Sequence, residues 1–104
     1  MRNQRDVDRF TLAFHEKAVA RLRQDAQLLC KARDTLDRWK AQRGVTASDP
    51  YFDQWRVLLD QGPDAVEQRV CVDTDAAATL RNVSPLGFVL SPEERRVLHS
   101  LGRA

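Results

Sequence analysis

The chain has 104 residues, of which 42% are apolar and 31% are charged, with two Trp and four Phe. These proportions are typical of one small globular domain and exclude a disordered chain. No apolar run approaches the ~20 residues of a membrane-spanning helix, and the N-terminus lacks the apolar segment of a secretory signal. We therefore expect a single helical domain over residues 1–104, located in the cytoplasm and without membrane contact.

The net charge of +2 is distributed unevenly along the chain. Residues 1–44 contain eleven Lys or Arg and six Asp or Glu, a net charge of +5, whereas residues 45–104 contain six and nine, a net charge of −3. One interpretation is that the two halves attract each other and pack together. The other is that the basic half binds phosphate. Acidic residues interspersed in the first half weaken its positive potential, which favours the intramolecular interpretation.

Residues 7–43 contain neither Gly nor Pro and predict one long amphipathic helix. Its apolar residues recur every three or four positions, and the spacing from Leu22 to Leu29 and Leu36 becomes seven, as in paired helices. Such a helix would be about 50 Å long, whereas a globule of this chain length is only about 35 Å across. Either the helix breaks, with a second segment starting at Asp34 or Thr35, or a second chain covers the apolar stripe. We favour the second chain.

This interpretation predicts a homodimer formed through the long helix, and it also allows a different protein as the partner. The alternative is a helical hairpin inside one monomer. The predicted self-association residues are large apolar side chains that share the stripe: Phe10, Phe14, Leu22, Leu29, Leu36 and Trp39.

Four shorter helices are predicted after Gly44, over residues 49–61, 63–71, 74–82 and 91–101. Proline near the start of three of these ranges fits a first helical turn, and Thr74 is placed to cap a helix. Ser91 and Glu94 form the pattern of a capping box. Trp55 is the expected core anchor of this half. The predicted fold class is all-α and helical-bundle-like.

Residues 74–85 resemble the first helix and turn of a DNA-binding helix-turn-helix motif. The helix that reads DNA would then begin at Ser84, and Pro92 limits it to fewer than two turns. Residues 86–90 offer no side-chain donor to a base edge, so we expect a helix, a buried apolar loop and another helix. DNA or RNA binding stays the alternative function, with predicted contacts from six basic residues: Arg23, Lys31, Arg33, Arg38, Arg95 and Arg96.

The sequence contains no pattern that indicates catalysis. His15 and His99 are expected at the surface or at the core boundary, and Cys30 and Cys71 are expected to pack as small apolar groups. None of these residues has the spacing of metal ligands. We therefore expect no metal, no cofactor and no enzymatic activity. The predicted function is a cytoplasmic protein–protein interaction or assembly module that self-associates through its long helix.

Overall fold

A computed structural model describes residues 4–44 and 49–101, with side chains described for residues 9–44 and 49–100. These residues form six helices and no strand, which confirms the all-α prediction. The helices are α1 Gln4–Gln24, α2 Gln27–Arg43, α3 Asp49–Gln61, α4 Pro63–Val70, α5 Asp75–Asn82 and α6 Pro92–Leu101.

The single helix predicted over residues 7–43 is in fact two helices, α1 and α2, that meet at Asp25 and Ala26. This bend lies before the break at Asp34 or Thr35 that the sequence suggested. Asp25 favours this bend, because its carboxylate accepts a hydrogen bond from the backbone N–H of Gln27, two residues on, at 3.0 Å and so forms a turn just before α2. The longest principal axis of the chain is 39 Å, so the bent chain contains no rod of about 50 Å.

The helix α1 lies at the centre of the molecule. It packs most extensively against α4 and α5 and less extensively against α6 and α2, while α3 packs between α2 and α4. Trp55 of α3 is fully buried, and its indole N–H donates a hydrogen bond to the carbonyl oxygen of Leu80 at 2.8 Å. Trp55 is therefore the core anchor that the sequence predicted.

The segment between α5 and α6 belongs to the core. Leu86, Val89 and Leu90 are all buried against the helices, which confirms the predicted apolar loop. The next helix, α6, begins with the predicted capping box. The backbone N–H of Glu94 donates to the Ser91 hydroxyl at 3.2 Å, and the backbone N–H of Ser91 donates to the Glu94 carboxylate at 3.1 Å.

Candidate interaction surface

Among the described residues, five of the six ion pairs between helices join a basic residue of the N-terminal half to an acidic residue of the C-terminal half, and the sixth, Arg56–Asp37, has the reverse order. The helix α1 is linked in this way to α4 and α6, and α2 is linked to α3. The opposite charges of the two halves therefore meet within one chain, as the intramolecular interpretation of the charge pattern expects. The pairs are Arg21–Glu94, Arg23–Asp64, Arg23–Glu67, Arg33–Asp60, Lys40–Asp53 and Arg56–Asp37.

Four of the six basic residues predicted to contact nucleic acid already bind groups of this chain. Arg23 and Arg33 form the ion pairs given above. The Arg95 guanidinium lies 5.3 Å from the centre of the Phe14 ring and donates to the carbonyl oxygen of Gly87. Arg38 Nη2 donates to the Thr35 hydroxyl at 3.4 Å. Arg38 and the remaining two, Lys31 on α2 and Arg96 on α6, are exposed.

The residues predicted for self-association lie in or against the core of the single chain. Phe14, Leu22 and Leu36 are buried, with 7%, 1% and 1% of their surface exposed. Phe10, Leu29 and Trp39 are partly buried and pack against that core. The apolar stripe of α1 and α2 is thus covered largely by the chain's own helices, in contrast to the overhang that the sequence suggested.

One side of α2 keeps apolar surface exposed. Leu28, Thr35 and Trp39, which we call the outer edge of α2, are each partly exposed. At about 100° per residue they lie away from the residues of α2 that form ion pairs with α3. Leu28 and Trp39 also pack against the core with part of their surface, and the Trp39 ring lies 5.6 Å from the ring of Phe52 on α3. The guanidinium of Arg43 lies 5.8 Å from the centre of the Trp39 ring. The outer edge therefore combines apolar and aromatic surface with an arginine.

A buried arginine that the sequence analysis missed holds three helices together. Arg81 of α5 is only 4% exposed. Its Nη1 donates to the carbonyl oxygens of Val70 at 2.7 Å and Val72 at 2.8 Å, and its Nε donates to the Thr11 hydroxyl at 3.3 Å. The signal was present in the sequence, because Arg81 follows the buried Ala77 by four residues and so shares its side of α5.

His15 lies in the core, and its predicted position at the surface or the core boundary is wrong. Only 3% of its surface is exposed, and Nδ1 lies 2.7 Å from the carbonyl oxygen of Thr11. Among the described residues, no hydrogen-bond partner faces its buried Nε2. Burial lowers the pKa of His15 to about 4, and the positive charge of Arg81 contributes to this shift. The imidazole is therefore neutral near pH 7.

The prediction that both cysteines pack as small apolar groups is wrong for Cys30. Its side chain is exposed, and its Sγ accepts a hydrogen bond from Arg33 Nη2 at 3.2 Å. Cys71 is half-buried, and burial raises the pKa of its thiol to about 11.

The described part of the chain contains no cluster of His, Cys, Asp or Glu that could hold a metal ion. Among its helices, none has the length and apolar character needed to cross a membrane.

No protein-family model, curated protein or solved structure matches this chain. The arguments about function therefore depend on the contacts, burial and charges described above.

Proposed function

We propose that this chain is a non-catalytic protein–protein interaction or assembly module that self-associates through its N-terminal helices. The observation that supports this function is the partly exposed outer edge of α2. Leu28, Thr35 and Trp39 follow one another at intervals of seven and four residues, which is the spacing by which one helix contacts another. The occupant of this edge is therefore a helix, and a second copy of the chain supplies one.

The composition of the outer edge supports the same proposal. Tryptophan and arginine are enriched among the residues that dominate protein–protein binding energy, and Arg43 lies against the Trp39 ring at one end of the edge. Covering the exposed parts of Leu28 and Trp39 would stabilise a complex by about 25 cal/mol per Å² of apolar surface removed from water.

The proposal is tested by placing a charge in the outer edge. Thr35 is partly exposed, and its hydroxyl donates to the carbonyl oxygen of Lys31 at 2.9 Å. Sedimentation equilibrium should show a dimer for the unmodified chain and a dissociation constant raised at least about tenfold for Thr35→Glu, since tenfold corresponds to about 1.4 kcal/mol.

Thr79→Glu is the matched control. Thr79 is also partly exposed on a helix and makes the same type of hydrogen bond, to the carbonyl oxygen of Asp75 at 3.0 Å. This variant should dimerise like the unmodified chain. If the unmodified chain is a monomer at every concentration tested, the proposed function is wrong.

Nucleic-acid binding is the second candidate, and the exposure of Lys31 and Arg38 on α2 is the observation that favours it. It predicts that a fluorescent duplex or single strand binds at low salt and that its affinity falls steeply as salt is added. Lys31→Gln combined with Arg38→Gln should weaken that binding. Unchanged anisotropy of both probes at low salt would eliminate this candidate.

A further inference from the structure

We propose that the bend at Asp25 and Ala26 is a hinge, and that two copies of the chain dimerise by exchanging α1. In the exchanged dimer the hinge straightens, α1 and α2 become one continuous helix, and each α1 packs against α4, α5 and α6 of the other copy. This inference rests on the proposed self-association: the outer edge of α2 stays a contact between the copies, and the exchange of α1 adds a second contact that links them.

The bend is built from residues that are compatible with a continuous helix. Residues 22–28 contain neither Gly nor Pro, and Ala26 already has helical dihedral angles, with φ −64° and ψ −21°. Straightening therefore requires rearrangement only around Asp25. It replaces the hydrogen bond from Gln27 N–H to the Asp25 carboxylate with the regular backbone hydrogen bonds of a helix.

The contacts of α1 make exchange the favourable result of straightening. Phe14, Ala18, Val19 and Leu22 are buried in the core, and α1 packs more extensively against α4 and α5 than against α2. A straightened chain exposes these four side chains together with the surface of the other helices that covered them. A second copy presents the same surface, so a reciprocal exchange restores the contacts of α1 with α4, α5 and α6 at low cost.

Exchange also gives a role to residues that the single chain buries. Phe14 and Leu22 lie on the stripe from which the sequence predicted a homodimer, yet in one chain they face its own core. In the exchanged dimer the same two side chains make their contacts with the other copy. The exchange therefore reconciles two observations: the sequence predicts a homodimer through this stripe, and the single chain buries the same stripe in its own core.

The ion pair between Arg21 of α1 and Glu94 of α6 allows a direct test. The variants Arg21→Glu and Glu94→Arg each place two like charges at this position. In an exchanged heterodimer of the two variants, position 21 of each chain packs against position 94 of the other chain. Both of these contacts then join opposite charges. Native mass spectrometry of a mixture that has been unfolded and refolded together should therefore show a heterodimer fraction clearly above the half that random pairing gives.

A control pair reverses charges that form no ion pair among the described residues, Lys17→Glu on α1 and Glu93→Arg on α6, both of which are exposed. This mixture should give a heterodimer fraction of one half. If the Arg21 and Glu94 variants also give one half, exchange is wrong while the proposed function stands. If the unmodified chain gives only monomers, both are wrong.

The hinge is tested independently by Ala26→Pro. Proline fixes φ near −65°, which matches Ala26 in the bent chain, but inside a continuous helix it removes a hydrogen bond and clashes with the preceding turn. We expect this variant to fold and to lose the dimer. Asp25→Ala, which removes the hydrogen bond that forms this turn, should instead increase the dimer fraction, and Asp34→Ala on the exposed side of α2 should not. Unchanged dimerisation of Ala26→Pro would overturn the hinge.

Discussion

Among the described residues, His15 and Arg81 are the polar or charged side chains that the core buries. Both interact with Thr11 on α1, through its carbonyl oxygen and its hydroxyl respectively. Burying a charge is costly unless hydrogen bonds compensate for the loss of water. Arg81 meets this requirement through the carbonyl oxygens of Val70 and Val72, whereas His15 avoids the cost because it stays neutral.

Arg81→Met should destabilise the fold by about 3 kcal/mol, because the carbonyl oxygens of Val70 and Val72 lose their charged hydrogen-bond donor inside the protein. Urea unfolding followed by circular dichroism measures this loss. Arg69→Met, at an exposed position on α4, is the control and should change the free energy of unfolding by less than about 0.5 kcal/mol. Equal effects of the two substitutions would contradict the role assigned to Arg81.

The buried His15 predicts that stability depends on pH. Its pKa is about 4 in the folded chain and 6.5 in the unfolded chain, so between these values the unfolded chain binds a proton that the folded chain excludes. The free energy of unfolding should therefore fall as the pH is lowered from 6.5 to about 4, by about 3 kcal/mol in total. Below pH 4 this group adds no further change.

Other groups of the chain also bind protons in acid, so the contribution of His15 is measured as a difference. His15→Phe keeps an aromatic ring of similar size and removes the titrating group. Urea midpoints at several pH values should fall less steeply between pH 6.5 and 4 for this variant than for the unmodified chain. Parallel curves for the two proteins would show that His15 is not the neutral buried group described here.

At the scale of elements, the bend between α1 and α2 is the largest difference between expectation and structure. Helical periodicity continues through residues 22–29, so the pattern of apolar residues does not reveal a break. Asp25 was a usable signal, because aspartate is a preferred residue just before a helix. Its hydrogen bond to Gln27 and the packing of α1 against α4, α5 and α6 together stabilise the bent form.

The segment between α5 and α6 behaves as part of the core rather than as a connecting loop. Leu86 is fully buried, whereas Phe88 in the same segment is 43% exposed. Leu86→Ala should therefore lower the free energy of unfolding by about 3 kcal/mol, the usual effect of removing a buried leucine side chain. Phe88→Ala removes more atoms but should have a much smaller effect, because its ring is partly solvated. Chemical unfolding of both variants gives this comparison, and a larger loss for Phe88→Ala would contradict it.

At the scale of the whole molecule, the separation of charge along the sequence produces attraction between helices of one chain. Ion pairs at the surface each contribute only about 0.2–1 kcal/mol, so their main effect is on which helices lie side by side. They link α1 to α4 and α6 and link α2 to α3. The helix α1 takes part both in the core and in these pairs and packs more extensively against α4 and α5 than against α2, which is why we propose it as the exchanged helix.

The sequence by itself determined the helices and most of their ends. Periodic apolar residues, prolines in first turns, and the caps at Thr74 and Ser91 act within a few residues of each other, so they can be read locally. The same is true of Trp55 as a core anchor and of the apolar loop between α5 and α6.

Only the tertiary structure decided where the long N-terminal stripe bends and what covers it. A continuous helix and a bend at Asp25 satisfy the same local pattern, and the choice depends on contacts between residues far apart in the chain. The burial of His15 and the hydrogen bonds of Arg81 have the same origin. Burial and long-range ion pairing depend on which surfaces meet in space, and the spacing of residues along the chain does not specify that.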